Sequence, residues 1–162
     1  MTAGGGGGHK GAGHRTGAQL ALSVKLEVPS NPRLLSVVRS TVQQFAAVVG
    51  FTEADCRSIV LAVDEAVANV IRHAYQGQQD QGIEISCNLL CSAPNQEPDG
   101  LEFILVDHGT SADPERMMQE RDLDDVRPGG LGMHFINSIM DEVHYEPRPG
   151  RNRLRLVKSL KK

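Results

Sequence analysis

The sequence predicts an α+β fold, a two-layer sandwich in which a mixed or antiparallel sheet carries helices on one face. The predicted elements run in the order strand, two helices, two strands, helix, two strands. Loops rich in Pro, Asn, Asp and Gly join the strands of both later pairs, which is typical of β-hairpins. Hairpin-linked strands together with amphipathic helices favour a sheet that is covered on one side.

Composition limits the class of protein. A length of 162 residues favours one domain with a full hydrophobic core. A net charge of -3 gives no reason to expect nucleic acid or an anionic membrane as a partner. No apolar run reaches the length of a membrane span, and three cysteines without a Cys-x-x-Cys pair indicate a reduced, cytoplasmic protein. Residues 1–18 are expected to form a flexible Gly-rich tail before a domain over residues 19–162.

The first half of the chain is predicted to hold one strand and two helices. Residues 19–28 alternate apolar and polar side chains, which indicates a half-buried strand. The first helix is expected over residues 33–49, with Asn31 as its cap and Gly50 as its end. Thr52 caps the second helix, with Asp55 as an acidic variant of the capping box.

The second helix is expected to continue to about Gln76. The later elements are predicted as strands over 83–90 and 101–106, a helix over 133–140, and strands over 143–145 and 152–158. Residues 112–128 are charged and poorly periodic, so they are predicted to form a mobile loop with one helical turn at most.

The end of the second helix concentrates candidate functional residues. In residues 61–75, LAVDEAVANVIRHAY, the side chains of Glu65, Asn69 and His73 follow each other at steps of four and lie on one side of the helix. A carboxylate and a carboxamide one turn apart suit Mg²⁺ that is carried in with a nucleotide. An ordinary polar shoulder on a core-facing helix is the alternative for this pattern.

Two glycine-containing motifs point to a nucleotide. Asp107-His-Gly109 directly follows a strand, where an Asp can accept a hydrogen bond from an adenine amino group and a Gly leaves room for the ring. Gly129-Gly-Leu-Gly132 opens a helix, where free N–H groups and the helix dipole attract phosphate. A plain turn is the alternative for each motif. Neither the Walker-type pattern nor Gly-x-Gly-x-x-Gly after the first strand is present.

Taken together, the motifs resemble the GHKL ATP-binding superfamily, whose histidine-kinase-like fold is the expected one. The stretch from Glu65 to Tyr75 is similar to its N-box, and Asp107-His-Gly109 to its first glycine box. The second glycine box is similar to Gly129, Gly130, Leu131, Gly132 and Met133. The His-Ala-Tyr ending and the small size narrow the resemblance to anti-sigma factor serine/threonine kinases of the SpoIIAB/RsbW type.

The resemblance implies a role for each matching residue. Glu65 would be the general base toward a serine hydroxyl, and Asn69 would hold the Mg²⁺ that bridges the ATP phosphates. Asp107 and Gly109 would bind adenine, and residues 112–128 would form the ATP lid. Phosphates would be bound by the second glycine box, Gly129, Gly130, Leu131, Gly132 and Met133. His73 would line the nucleotide pocket or, alternatively, pack as an ordinary histidine.

Arg39 on the first helix is similar to the family's partner-contacting arginine; a solvated helix charge is the alternative. Ser111 departs from the family pattern, which has a second glycine there, and this loosens the assignment of the adenine side. The lid is rich in Asp and Glu, and the choice of a phosphate-contacting cation stays open among Arg116, Arg121 and Arg127.

The resemblance implies a cytoplasmic ATP- and Mg²⁺-dependent serine/threonine kinase that acts as an anti-sigma factor. It would phosphorylate a STAS-type antagonist, sequester a sigma factor by partner switching, and form a homodimer. The alternative is an ATP-binding partner-switching module with little or no kinase activity. Glu65 favours the kinase, because proton abstraction needs that carboxylate and ATP binding does not. A nucleotide-independent adaptor is a third possibility, which Asn69 and Asp107 disfavour.

Overall fold

The computed structural model describes residues 22–92, 97–112 and 131–160. Its helices and strands, in chain order, are β1 (Ser23–Pro29), α1 (Leu35–Val49), α2 (Glu53–Asn69), β2 (Gly82–Leu90), β3 (Gly100–Asp107), α3 (Leu131–Ile139), β4 (Glu142–Arg148) and β5 (Arg151–Ser159). This order confirms the predicted one. The predicted tail, residues 1–18, and the predicted lid from residue 113 onward lie outside the described residues.

In the described part of the chain, five strands form one sheet in the order β1-β2-β3-β5-β4. The predicted α+β class is confirmed, and of the two sheet types left open the structure has the antiparallel one in every pairing. Helices α1 and α2 carry the chain away from the end of β1 and back. As a result the last residue of β1, Pro29, pairs with the first residue of β2, Gly82.

One face of the sheet is apolar and is covered by the helices. Leu26, Ile85, Leu105 and Leu154 follow one another across four strands, and period-2 alternation puts all of them on this face. The helices add buried side chains to the same cluster, among them Val38, Val42, Phe45, Ile59, Val63, Val67 and Ile136. Burying one such side chain contributes about 1.5–3 kcal/mol, so the core holds α2 firmly on the sheet.

The opposite face of the sheet is polar. Arg155 bonds Glu102 at 2.5 Å and Glu142 at 2.7 Å across three adjacent strands. A half-solvated face of this kind is typical of antiparallel sheets, which places the layers as the sequence predicts. None of the helices in the described residues has the length and apolar character needed to cross a membrane.

The helix ends follow local signals with two differences. Asn31 Oδ1 accepts from the Arg33 N–H at 3.0 Å, but this bond caps a 3₁₀ turn that precedes α1. Thr52 Oγ1 accepts from the Asp55 N–H at 3.1 Å, as predicted. The Asp55 carboxylate binds the Thr52 hydroxyl at 2.7 Å instead of the backbone N–H of a full capping box. Gly50 ends α1 with a left-handed φ of 107°.

The second predicted helix changes type before it ends. Helix α2 stops at Asn69, and a π-helical segment, Val70–Ala74, follows it. The Tyr75 N–H closes this segment by donating to Val70 O at 3.0 Å. Apolar spacing predicts one regular helix to about Gln76, because a single wide turn leaves that spacing almost unchanged. Short π segments are frequent at functional sites.

Strand β4 is longer than the predicted span 143–145. It runs from Glu142 to Arg148 and includes Pro147. A proline is tolerated there because β4 lies at the edge of the sheet, where one side of the strand needs no ladder bonds. The turn to β5 ends at Gly150, which has a φ of 70°.

Candidate active site

The three motif regions meet at the C-terminal half of α2 and the π-helical segment that follows it. A Cβ atom on Gly109 would lie 2.6 Å from the carbonyl carbon of Ala74, so the loop after β3 contacts the π-helical segment. The Thr110 N–H donates to Ala74 O at 2.9 Å in the same contact. A Cβ atom on Gly132 would lie 2.9 Å from the Glu65 carboxyl carbon, so α3 contacts the side chain of α2. The N-box stretch therefore contacts residues of both glycine motifs.

Glu65 and Asn69 direct oxygens toward one nitrogen. Arg72 Nη2 donates to Glu65 Oε1 at 2.6 Å and to Asn69 Oδ1 at 3.0 Å. The side chain of Glu65 is 28% exposed, so it is held in place and still reachable from solvent. A carboxylate oxygen and a carboxamide oxygen that converge in this way are ligands that Mg²⁺ accepts.

Arg72, and not His73, is the third polar side chain beside Glu65 and Asn69. The side chain of His73 is exposed, and no hydrogen bond or ion pair of His73 is seen among the described residues. Sequence reasoning missed Arg72. Its positions, seven residues after Glu65 and three after Asn69, were the available signal, since these spacings also share one helix side.

Asp107 lies buried at the end of β3, opposite Asn152 on β5. Its Oδ1 accepts from the Gly109 N–H at 2.9 Å and from Asn152 Nδ2 at 2.8 Å. Both of these bonds go to Oδ1, so the two donors hold the Asp107 carboxylate by one oxygen. The Asp and Gly of the predicted adenine motif are thus brought together with an asparagine that sequence reasoning missed.

Ser111 orients that asparagine. The Ser111 hydroxyl donates to Asn152 Oδ1 at 2.6 Å, which turns the Asn152 amide group toward Asp107 and toward Gly109 O at 3.2 Å. Ser111 is the position where the family pattern has a glycine, so the departure from the pattern supplies a bond. The role of Asn152 depends on the β3–β5 register, for which the sequence has no local signal.

Tyr75 links the N-box stretch to the loop after β3. Its hydroxyl donates to Gly82 O at 2.6 Å and accepts from the His108 N–H at 2.9 Å. Burial raises the pKa of Tyr75, and the His108 N–H opposes this in part. The neutral phenol therefore holds the end of the π-helical segment, the start of β2 and the loop after β3 in one place.

The second glycine motif is described only in part. Gly132 and Met133 lie in the first turn of α3, and Met133 packs against the core cluster. Gly129 and Gly130 lie outside the described residues, as does the side chain of Leu131. The close approach of Gly132 to Glu65 is the observation that brings this motif to the site.

Arg39 forms an ion pair between α1 and α2. Its Nε and Nη2 donate to the two carboxylate oxygens of Asp64 at 2.8 and 3.0 Å. Asp64 raises the pKa of Arg39 through this hydrogen bond and its charge, so the guanidinium stays protonated. Arg39 is about half exposed, and its partner Asp64 precedes Glu65 in the chain. Arg39 is therefore linked to α2 one residue before Glu65.

A cation at this site would need ligands from a nucleotide. In the described residues no group of three or more His, Cys, Asp or Glu side chains could hold a metal ion. Mg²⁺ is commonly bound through one or two protein oxygens plus substrate phosphates, and the oxygens of Asn69 and Glu65 fit that mode.

Comparison with known proteins identifies the family. Residues 28–158 match the histidine kinase-like ATPase domain. The serine-protein kinase RsbW of Listeria innocua is 31% identical to this chain over 127 residues, which are 74% of this chain and 76% of the relative. The chain belongs to the RsbW-type serine-protein kinases. RsbW of Halalkalibacterium halodurans is 30% identical over 135 residues, 79% of this chain and 78% of the relative.

RsbW of Bacillus subtilis is 27% identical over 134 residues, 78% of this chain and 79% of the relative. A crystal structure of the RsbU and RsbW domains of Rv1364c from Mycobacterium tuberculosis shares the RsbW-type fold, with a TM-score of 0.59 at 16% identity. The match covers 84% of this chain and 32% of that longer chain. These findings confirm the predicted resemblance: the chain is an RsbW-type serine/threonine protein kinase with an ATP-binding domain.

Proposed function

We propose that this kinase phosphorylates a serine of a STAS-type anti-sigma factor antagonist and acts as an anti-sigma factor. It would sequester a sigma factor until unphosphorylated antagonist displaces it. The observation that carries the proposal is the convergence of Glu65 and Asn69 oxygens beside Gly132. That arrangement combines a base, a cation ligand and a glycine of the phosphate motif within one contact region.

Each residue of the proposed site has a separate role in phosphate transfer. Glu65 takes the proton from the serine hydroxyl while the serine oxygen attacks the γ-phosphorus of ATP. The bond between that phosphorus and the bridging oxygen of ADP breaks, and ADP leaves. Asp107 accepts from the adenine amino group through Oδ2, and Gly109 leaves room for the ring. Asn69 would hold Mg²⁺, which when bound neutralises charge on the phosphates.

Positioning supplies most of the catalysis that phosphoryl transfer needs, since the protein does little covalent chemistry. The arrangement supports this because Asp107 and Asn152 are buried on paired strands and Glu65 stays reachable at 28% exposure. ATP would thus be fixed at the adenine end while the protein substrate approaches the base from solvent.

Arg39 is proposed to contact the antagonist. Its bidentate bond to Asp64 fixes the guanidinium plane, and about half of the side chain stays exposed beside the base. A preorganised arginine at a surface is favoured at protein interfaces. We further propose that the protein is a homodimer in the cytoplasm. Sedimentation of the purified protein tests the dimer directly, because a monomer at micromolar concentration would contradict it.

The test combines ATP binding with phosphate transfer. Calorimetry measures Mg²⁺·ATP affinity, and labelled ATP measures transfer to STAS-domain proteins from the same genome. Wild type should bind ATP and label a serine. Glu65→Gln keeps an oxygen for Arg72 but loses basicity. The variant should therefore bind ATP, while its rate of phosphate transfer falls by roughly 100-fold or more. Asn69→Ala should lose about tenfold or more of the Mg²⁺-dependent affinity.

Matched controls separate the possible results. Glu27→Gln changes an exposed carboxylate on β1 and should leave transfer unchanged. Arg39→Ala should lower transfer to the antagonist at unchanged ATP affinity. ATP binding without labelling of any STAS protein would favour a partner-switching module with little or no kinase activity. Absence of ATP binding in wild type would overturn the proposal.

A further inference from the structure

The motifs assign no role to Arg72, yet its side chain bonds both Glu65 and Asn69, to which they do assign roles. One of its nitrogens, Nη2, bonds Glu65 Oε1 at 2.6 Å and Asn69 Oδ1 at 3.0 Å. Arg72 reaches them from the π-helical segment, Val70–Ala74, that follows α2. The side chain of Arg72 is 54% exposed, so its charge can be hydrated and does not need these two acceptors to compensate for burial.

We propose that Arg72 is a positioning residue for phosphoryl transfer: it fixes the Glu65 carboxylate and the Asn69 carbonyl oxygen toward one another. The inference rests on the proposed function, in which Glu65 is the base and Asn69 the ligand of Mg²⁺. Arg72 acts through these two residues.

The chemistry of the guanidinium sets the orientation of Asn69. A carboxamide presents an acceptor oxygen at one end and a donor NH₂ group at the other, whereas a guanidinium only donates. Arg72 therefore selects Oδ1, the end of Asn69 that a cation can bind. Without a donor there, the carboxamide can turn and present its NH₂ group, which cannot bind Mg²⁺.

The Glu65 carboxylate is confined from two sides. Arg72 bonds Oε1, and the backbone of Gly132 approaches so closely that a Cβ atom there would lie 2.9 Å from Glu65 Cδ. Loss of the guanidinium removes one of these restraints and lets the carboxylate leave its position. A displacement of about 1 Å at a reacting group can cost about 100-fold in rate.

The same helix carries a matched control pair. Arg57 bonds Glu53 one turn away in the first half of α2, with the two side chains 61% and 82% exposed. Glu65, the partner of Arg72, is only 28% exposed and touches α3. Replacing either arginine by methionine removes an ion pair to a carboxylate of α2, but only Arg72→Met affects the site.

The experiment compares Arg72→Met, Arg72→Lys and Arg57→Met in the full chain. Arg72→Met should lower kcat for transfer by roughly tenfold to 100-fold and weaken Mg²⁺·ATP binding by about fivefold. Arg72→Lys should recover part of both, since an ammonium still donates. Arg57→Met should match wild type. Tm is recorded for each variant, and all are expected to stay folded because both arginines are largely exposed.

A double variant tests whether Arg72 acts through Glu65. In Glu65→Gln, positioning of a basic carboxylate no longer matters, so adding Arg72→Met should lower kcat at saturating Mg²⁺·ATP by less than about twofold further, while the loss of affinity that arises through Asn69 remains. A purely structural role of Arg72 would give the same fold-loss in both backgrounds, and that result would overturn the inference.

The remaining results separate this inference from the proposed function. If wild type transfers phosphate and Arg72→Met equals it in kcat and affinity, the inference fails and the proposed function stands. If wild type binds Mg²⁺·ATP but labels no STAS protein, the proposed function fails, and Mg²⁺-dependent affinity decides the inference. Weaker binding by Arg72→Met supports it; equal or tighter binding, which would mean that Arg72 competes with the cation, overturns it.

Discussion

The proposed nucleotide site has an adenine end and a phosphate end, and these two ends are built in different ways. At the adenine end, Asp107 and Asn152 are buried on paired strands and bond each other and the backbone. At the phosphate end, Glu65 and Asn69 project from one side of a helix and share a single guanidinium nitrogen. One end is fixed by the sheet, and the other depends on side chains that can move.

The difference suits the two tasks. Recognition of the adenine ring needs a hydrogen-bond acceptor whose position does not change, and a strand pairing supplies it. A general base that takes a proton from a protein substrate must be reachable from solvent, and it must exchange its hydrogen-bond partner during the reaction. The same type of mutation should therefore affect stability at the adenine end and activity at the phosphate end.

Gly109→Ala tests the adenine end and should have the largest effect. The new Cβ would meet backbone, 2.6 Å from the Ala74 carbonyl carbon, and would break the Thr110–Ala74 hydrogen bond. Overpacking against backbone and loss of that bond should cost about 3 kcal/mol of unfolding free energy. Thermal unfolding should show a Tm lower by roughly 10 °C. Gly82→Ala is the control, because its Cβ would meet only Glu27 at 4.0 Å.

Gly132→Ala is the matching change at the phosphate end. Its Cβ would meet the end of the Glu65 side chain, with Glu65 Cδ at 2.9 Å, and a flexible carboxylate can move aside. Unfolding free energy should change by less than about 1 kcal/mol, since alanine is also the better helix former. Transfer should fall roughly 100-fold because the base is displaced. A variant that unfolds early but retains transfer would reverse the proposed contrast between the two ends.

Tyr75→Phe tests the link between the ends and should have the smallest effect. It removes the hydroxyl that bonds Gly82 O and the His108 N–H, which should cost about 1–2 kcal/mol in denaturant unfolding at pH 7. Burial raises the pKa of Tyr75 in the folded state. Its contribution is therefore complete below about pH 10, where an unfolded tyrosine begins to ionise, and is lost as pH rises further. The difference between wild type and variant should shrink above about pH 10; a constant difference would contradict this assignment.

Much of the fold could be predicted because it depends on local patterns. Alternation in the strands, the Thr52 cap and Gly50 locate the elements, and the hairpin loops give two of the four antiparallel pairings, β2–β3 and β4–β5. The π-helical segment Val70–Ala74 was missed because one wide turn hardly alters apolar spacing. Strand β4 was predicted too short because Pro147 ends a central strand but not an edge strand.

The site divides in the same way. Glu65, Asn69 and Asp107 lie in motifs of neighbouring residues, so a sequence pattern finds them. Arg72 was within reach of the same spacing rule, although steps of four pointed to His73. Asn152 is 45 positions from Asp107 and meets it only through the β3–β5 register, which no local pattern encodes.

The pairing of Asp107 with Asn152 also makes the environment of one carboxylate depend on a distant part of the chain. Helix α2 and strand β3 precede β5 in the chain, so the residues proposed as base and adenine acceptor are synthesised before Asn152. In the folded sheet β5 lies between β3 and β4, and it is β5 that places Asn152 opposite Asp107. The full bonding of Asp107 therefore requires β5 to be paired with β3, and detachment of β5 would leave the Asp107 side chain without Asn152 even with β3 in place.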